Sequence, residues 1–119
     1  MATYKFTFVE GELVRVPFRY KTVSDAGVRT PFPMAGKKVS IRFRLRGATA
    51  DLLFLDTSQA ANEFGSVLRM ADEAQAYWEV YVSEAQKARF PKGFGEWEMH
   101  IVDADGAPDL IAEGTFVVK

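Results

Sequence analysis

Apolar and polar positions alternate with a period of two along most of this chain. Tyr4, Phe6 and Phe8 alternate with Lys5 and Thr7. Val14, Val16, Phe18 and Tyr20 alternate with Leu13, Arg15, Pro17, Arg19 and Lys21. Val39, Ile41, Phe43 and Leu45 alternate with Lys38, Ser40, Arg42, Arg44 and Arg46. Trp78, Val80 and Val82 are interleaved with Tyr77, Glu79 and Tyr81, and Trp97, Met99 and Ile101 with Glu96, Glu98 and His100. Successive side chains of a strand point to opposite faces, so each run predicts a strand with one buried and one wet face. The short apolar runs Leu52–Leu55 and Ser66–Met70, and the closing segment Ala112–Val118, bring the expectation to about eight strands.

Turn chemistry separates these runs. Glu10-Gly11-Glu12 divides the first two, and Asp103-Ala104-Asp105-Gly106 the last two; Asp-Gly is a hairpin signal because Gly tolerates positive φ. Thr22–Lys37 holds two Pro and two Gly and reads as a long loop. Pro17 falls inside a strand pattern, which places it at a sheet edge or bulge, since Pro has no N–H to donate. Only residues 83–89 read as helical: Ser83 is the cap, Gln86 stands three residues on, and Pro91 stops the turn. Many short strands without βαβ alternation predict an all-β chain, a sandwich or a small barrel, and the aromatic content favours the antiparallel sandwich. Neither repeat nor linker interrupts residues 1–119, so one domain is expected.

Composition narrows the functional classes. The 119 residues carry 48% apolar and 13% aromatic residues, enough for a real core without staples. A net charge of −1 lacks the basic excess of a nucleic-acid binder. There is no Cys, hence no disulfide, thiolate metal site or Cys nucleophile. Met1–Val9 mixes Lys5 and Thr7 with aromatics, unlike a signal peptide, and no window approaches the roughly 18 apolar residues of a membrane span. Synthesis and folding in a cytoplasm are expected.

Few residues suggest chemistry. Glu96, Glu98 and His100 share a strand face with neighbours about 7 Å apart, close enough to share a metal ion or a proton; the plain alternative is a solvated strand face. Asp103, Asp105, Asp109 and Glu113 loosely resemble calcium ligands, but Gly106 comes too early for a hand-type loop, and a hairpin turn accounts for them. Gly93-Phe94-Gly95 reads as a tight turn, and no G-x-S-x-G elbow is present. Arg42, Arg44 and Arg46 form a basic stripe on one strand that suits a partner's carboxylates or protects the strand from mispairing. Tyr77 and Tyr81 lie opposite Trp78, an aromatic pair on a polar face of the kind found at protein interfaces. These five residues, Arg42, Arg44, Arg46, Tyr77 and Tyr81, are the expected partner contacts. No catalytic, cofactor-binding or metal residue is assigned.

Three stretches together resemble a known family. Val9-Glu10-Gly11-Glu12-Leu13-Val14-Arg15-Val16-Pro17-Phe18 gives a Gly-acidic turn leading into an alternating strand. Met34-Ala35-Gly36-Lys37-Lys38-Val39-Ser40-Ile41-Arg42-Phe43-Arg44 gives a loop, a Gly-polar pair and a strand ending in basic residues. The strand from Trp78 to Val82, the Ser83-capped turn, Phe90-Pro91-Lys92-Gly93, the strand from Gly95 to Asp103, Asp105-Gly106 and a final strand at Gly114–Val118 complete the order. In this order the chain resembles the small immunoglobulin-like β-sandwich proteins of tailed-phage tails and baseplates, including the N-terminal domain of the baseplate upper protein. It departs from them at Phe32-Pro33-Met34-Ala35-Gly36, where the family's Asp is missing. It also ends after the sandwich, where baseplate proteins often continue into receptor-binding parts.

The resemblance implies an immunoglobulin-like sandwich and a structural virion protein. Such a protein is a tail or baseplate adaptor or accessory subunit that tethers other virion proteins in multiple copies. It implies no enzyme activity, no cofactor, and no nucleic-acid or membrane partner, with the protein made in the host cytoplasm and located in the virion. A capsid decoration protein has the same profile. From other classes, a carbohydrate-binding module would use Tyr4, Tyr77, Tyr81 and Trp97 if those rings face water, and a metalloenzyme would use Glu96, Glu98 and His100.

Overall fold

The structure, a computed structural model, describes residues 2–119. The alternating runs form strands β1 (Ala2–Phe8), β2 (Val14–Arg19), β3 (Lys21–Val23), β4 (Arg29–Pro31), β5 (Lys38–Leu45), β6 (Leu53–Asp56), β7 (Val67–Asp72), β8 (Tyr77–Val82), β9 (Gly93–Val102) and β10 (Pro108–Val118). The helical turn α1 spans Glu84–Lys87, capped by Ser83 Oγ, which accepts from Gln86 N. A 3-10 turn at Glu73–Gln75 joins β7 to β8. Five strands form one sheet in the order β1-β10-β9-β5-β6, three form a second in the order β2-β8-β7, and β3 pairs with β4 alone. The two larger sheets follow the immunoglobulin order: β2, β8 and β7 stand as B, E and D, while β5, β6, β9 and β10 stand as C, C′, F and G. The protein is an all-β immunoglobulin-like sandwich.

The period-two pattern sorts side chains between the layers. On β8, Trp78, Val80 and Val82 are buried while Tyr77, Glu79 and Tyr81 are half-buried on the far side. On β5, Val39, Ile41 and Phe43 face inward. The buried side chains form one contiguous cluster, in which aromatic rings meet edge to face. Phe6 lies 5.0 Å from Phe43 and 5.3 Å from Trp97 between centroids, and Phe18 of the small sheet lies 5.9 Å from Trp97 of the large one. Edge-to-face pairs add about 0.5–1.5 kcal/mol each beyond their buried area. Trp78 is 1% exposed and its indole N–H points at Met99 Sδ, 3.2 Å away.

Two glycines admit this packing. Trp97 Nε1 donates to the Tyr4 carbonyl at 2.8 Å, two strands away, by passing over Gly114. A Cβ at Gly114 would collide with both that carbonyl oxygen and the indole. Gly95 likewise leaves room for the Phe116 ring. Gly93–Gly95 therefore opens β9 and is not a tight turn, contrary to the sequence reading.

Two further expectations are corrected. The pairing is not antiparallel throughout: β1 runs parallel to β10, from Ala2 beside Ala112 to Phe8 beside Val118. Glu10-Gly11-Glu12, which separates the first two strands as expected, carries the chain from one sheet to the other. Alternation reports which face a side chain takes, not the direction of the neighbouring strand. The stretch Thr22–Lys37 is not all loop, since it contains β4 and the tip of the β3–β4 hairpin, which raises the strand count among the described residues to ten. The hairpin is pinned by Thr22 Oγ1 against Thr30 Oγ1 at 2.9 Å and by a turn in which Val28 N donates to Ser24 Oγ at 3.1 Å. Its apolar positions are too few for the sequence to mark it as strand. Pro17 does lie on an edge strand, β2.

The crossing between sheets is held from below by α1. Lys87, 7% exposed, donates from Nζ to the Val9 carbonyl at 2.9 Å, to the Glu12 carbonyl and to Glu84. Gly11 N donates to Glu84 Oε2 at 3.0 Å. The Lys87 contact, with the Gly11 N–H, holds the Glu84 carboxyl below its ordinary pKa. Ser83 also accepts from Gln86 N while donating to the Phe64 carbonyl at 2.6 Å, and Asn62 Nδ2 donates to Gln86 Oε1 at 2.8 Å. The β6–β7 connection is thereby fastened to the same helical turn.

Truncating Trp78 to Ala is expected to lower unfolding stability by roughly 3–5 kcal/mol, read from denaturant titration. Gly114→Ala is expected to cost about 2–4 kcal/mol, because either β1 or the Trp97 ring must move and the Tyr4 carbonyl loses its donor. A melt equal to the wild type would mean that β1 does not dock as described.

Candidate protein-binding face

The outer surface of the three-stranded sheet is assembled from three cross-strand rows. Register places Arg15, Tyr81 and Val67 in the first, Pro17, Glu79 and Arg69 in the second, and Arg19, Tyr77 and Asp72 in the third. The residues of β2 and β8 alternate inside and out, so the burial of Val14, Trp78, Val80 and Val82 forces Arg15, Arg19, Tyr77 and Tyr81 onto one outward face. The Arg15 guanidinium covers the Tyr81 ring at 4.9 Å from its centroid, and that of Arg19 covers Tyr77 at 4.5 Å. Glu79, at the centre, accepts from Arg69 Nη2 at 2.6 Å and lies 3.7 Å from Arg15. Three arginines against Glu79 and Asp72 leave these rows' charges one positive in excess. Asp72, at the rim, turns to cap the 3-10 turn through Gln75 N at 3.3 Å.

Of the five partner contacts expected from the sequence, Tyr77 and Tyr81 belong to this face. The sequence reading missed Arg15, Arg19 and Arg69. Their alternation with Val14, Val16 and Leu68 carried a signal of outwardness, but nothing in it said that β2 and β7 flank β8.

Arg42 and Arg44 lie elsewhere, half-buried on the outer face of the large sheet. Both meet Asp51 Oδ1, Arg42 from Nε at 3.1 Å and Arg44 from Nη2 at 3.0 Å. In register they face Glu98 and Glu96 of β9. The stripe is therefore largely neutralised within the domain. Arg46 is not on the strand face, because β5 ends at Leu45 and Arg46 begins the following turn. Nor does the stripe guard a sheet edge, since β5 lies between β9 and β6.

Glu96, Glu98 and His100 do share the outer face of β9, with His100 beside Ser40. Among the described residues, no three His, Asp or Glu side chains converge closely enough to hold a metal ion. Asp103 and Asp105 sit on a hairpin turn closed by Asp103 N to the Ala107 carbonyl at 3.0 Å, with Gly106 at φ +89°. The rings named for sugar stacking do not form a flat open row: Trp97 is 1% exposed, Tyr77 and Tyr81 are covered by guanidiniums, and Tyr4 packs edge-on to Phe6 at 4.8 Å. A shallow cleft of about 300 Å³ runs between the sheet-edge strands β6 and β7, floored by Leu55 and Leu68 with Phe54 on its rim. Beside it, buried Asp56 is held by Lys38 at 3.0 Å and by Ser58, whose N and Oγ donate at 2.7 and 2.6 Å. Burial pushes the Asp56 carboxyl up, but these partners outweigh it and leave it below its ordinary range.

Among the described residues, no helix is long and apolar enough to cross a membrane. No protein-family model matches the chain, and no curated protein matches it either.

Because the folded carboxyl of Asp56 titrates below the unfolded one, its stabilisation is complete above the ordinary carboxylate range. It is lost as pH falls through the folded value. Asp56→Asn is expected to lower the thermal midpoint at pH 7, and the gap from wild type should close below about pH 4. A gap independent of pH would show that the Asp56 charge contributes nothing.

Proposed function

We propose that this protein is a non-catalytic assembly subunit of a tailed-phage particle. It acts as a tail or baseplate adaptor or accessory protein that tethers other virion proteins and docks in their assembly through the outer face of its three-stranded sheet. The observation that carries the docking surface is the Arg15, Arg19 and Arg69 array around Tyr77 and Tyr81, with each tyrosine ring covered by a guanidinium. Arg and Tyr are the residues most enriched among those that carry binding energy at protein interfaces. Stacking holds both partners in place before contact, which lowers the entropy lost on docking. The rest of the support for the phage reading is the full-length resemblance in turn and strand order described above. A virion subunit is present in many copies, so a modest contact per copy suffices through avidity. A capsid decoration protein would use the same face; of the rings named for the carbohydrate reading, Trp97 is buried and Tyr77 and Tyr81 lie under guanidiniums, which leaves Tyr4 exposed.

The test is co-purification with the proteins encoded beside it. Arg15→Glu with Arg69→Glu is expected to weaken that association at least tenfold while leaving the melt cooperative. Arg42→Glu with Arg44→Glu, on the opposite sheet, serves as the comparison and is expected to retain association. Binding that survives the first pair unchanged would remove this face from the docking surface.

A further inference from the structure

The basic face cannot close on its own copy, because two faces each carrying excess positive charge repel. The chain's net charge is −1, so with one positive charge in excess on that face the rest must carry two negative charges in excess. The β9–β10 tip concentrates most of them. Asp103, Asp105 and Asp109 are all exposed there, and Lys37, 3.4 Å from Asp103, offsets one of them. The tip is also preformed. Asp103 N donates to the Ala107 carbonyl at 3.0 Å, Gly106 N to the Asp103 carbonyl at 2.9 Å, and Ala107 N to Asp105 Oδ1 at 3.3 Å. Aspartates on this turn and on the strand that leaves it are of opposite charge to the guanidiniums of Arg15, Arg19 and Arg69, each of which can form charge-assisted hydrogen bonds to a carboxylate.

We infer that the occupant of the three-stranded sheet's outer face is a second copy of this chain, which inserts its Asp103–Asp109 tip among Arg15, Arg19 and Arg69. This rests on the reading of that face as a docking surface. The contact joins two different patches, so it is heterologous and repeats head to tail, closing into a ring or continuing as a filament. Each contact is weak and salt-sensitive, since exposed charges are screened within about 8 Å at physiological ionic strength.

Sedimentation velocity of the purified protein over a concentration series tests it. The wild type is expected to self-associate at 25 mM salt and to dissociate at 500 mM. Arg15→Gln with Arg69→Gln blocks the face, and Asp105→Asn with Asp109→Asn blocks the tip; each variant alone is expected to be monomeric. Mixed in equal amounts, they are expected to form a species of twice the monomer mass and no larger, since only one intact face and one intact tip meet. A wild type that stays monomeric at low salt and high concentration overturns the inference, as does a mixture that does not dimerise. If the wild type is monomeric but the Arg15/Arg69 variant still loses the neighbouring virion proteins, this inference fails and the docking face stands. If the variant keeps those proteins, the docking face fails as well.

Discussion

Trp97 reaching over Gly114 to the Tyr4 carbonyl is the contact on which the arrangement of the large sheet depends. The indole N–H needs an acceptor once its ring is buried, and the backbone of β1 supplies it at 2.8 Å. That hydrogen bond is possible only because the intervening residue lacks a Cβ. It ties β1 to β9 across β10 and fixes β1 as the parallel edge strand. Phe6 and Phe8 then fall into the core against Phe43, Trp97 and Phe116. With β1 on the large sheet, β2 becomes an edge of the small sheet, and its polar side chains come to flank β8.

The basic face follows from that placement. Arg15 and Arg19 project outward because Val14, Val16 and Phe18 turn toward the core, and β8 brings Tyr77 and Tyr81 under their guanidiniums. Glu79 lies between Arg15 and Arg69 and keeps the arginines spaced without cancelling them. The large sheet reaches the opposite balance, with Arg42 and Arg44 engaged by Asp51 and opposed by Glu98 and Glu96. The two sheets thus present different surfaces, one with arginines in excess and the other with its arginines paired internally.

The end of the sandwich opposite the β9–β10 tip is stiffened by polar groups. Lys87 satisfies carbonyls of the crossing turn, Glu84 takes a backbone N–H of the same turn, and Ser83, Ser66 and Asn62 bind the β6–β7 connection to α1. Buried polar groups of this kind favour one arrangement of loops because leaving any of them unpaired costs about 1–3 kcal/mol.

The sequence by itself determined the all-β class, the inward and outward side of nearly every long strand, the Ser83 cap and the edge position of Pro17. Those properties are local, set by side-chain alternation, by a missing N–H and by the spacing of cap and stop. It also marked Tyr77 and Tyr81 as outward aromatics. Only the tertiary structure decided that β1 runs parallel to β10, that Lys21–Pro31 folds back as a hairpin, and that Gly95 and Gly114 make room for Phe116 and Trp97. It alone brought Arg15, Arg19 and Arg69 to the tyrosines while setting Arg42 and Arg44 on Asp51 and leaving Arg46 in a turn. Strand order, direction and register join residues tens of positions apart, and alternation with a period of two is indifferent to all three.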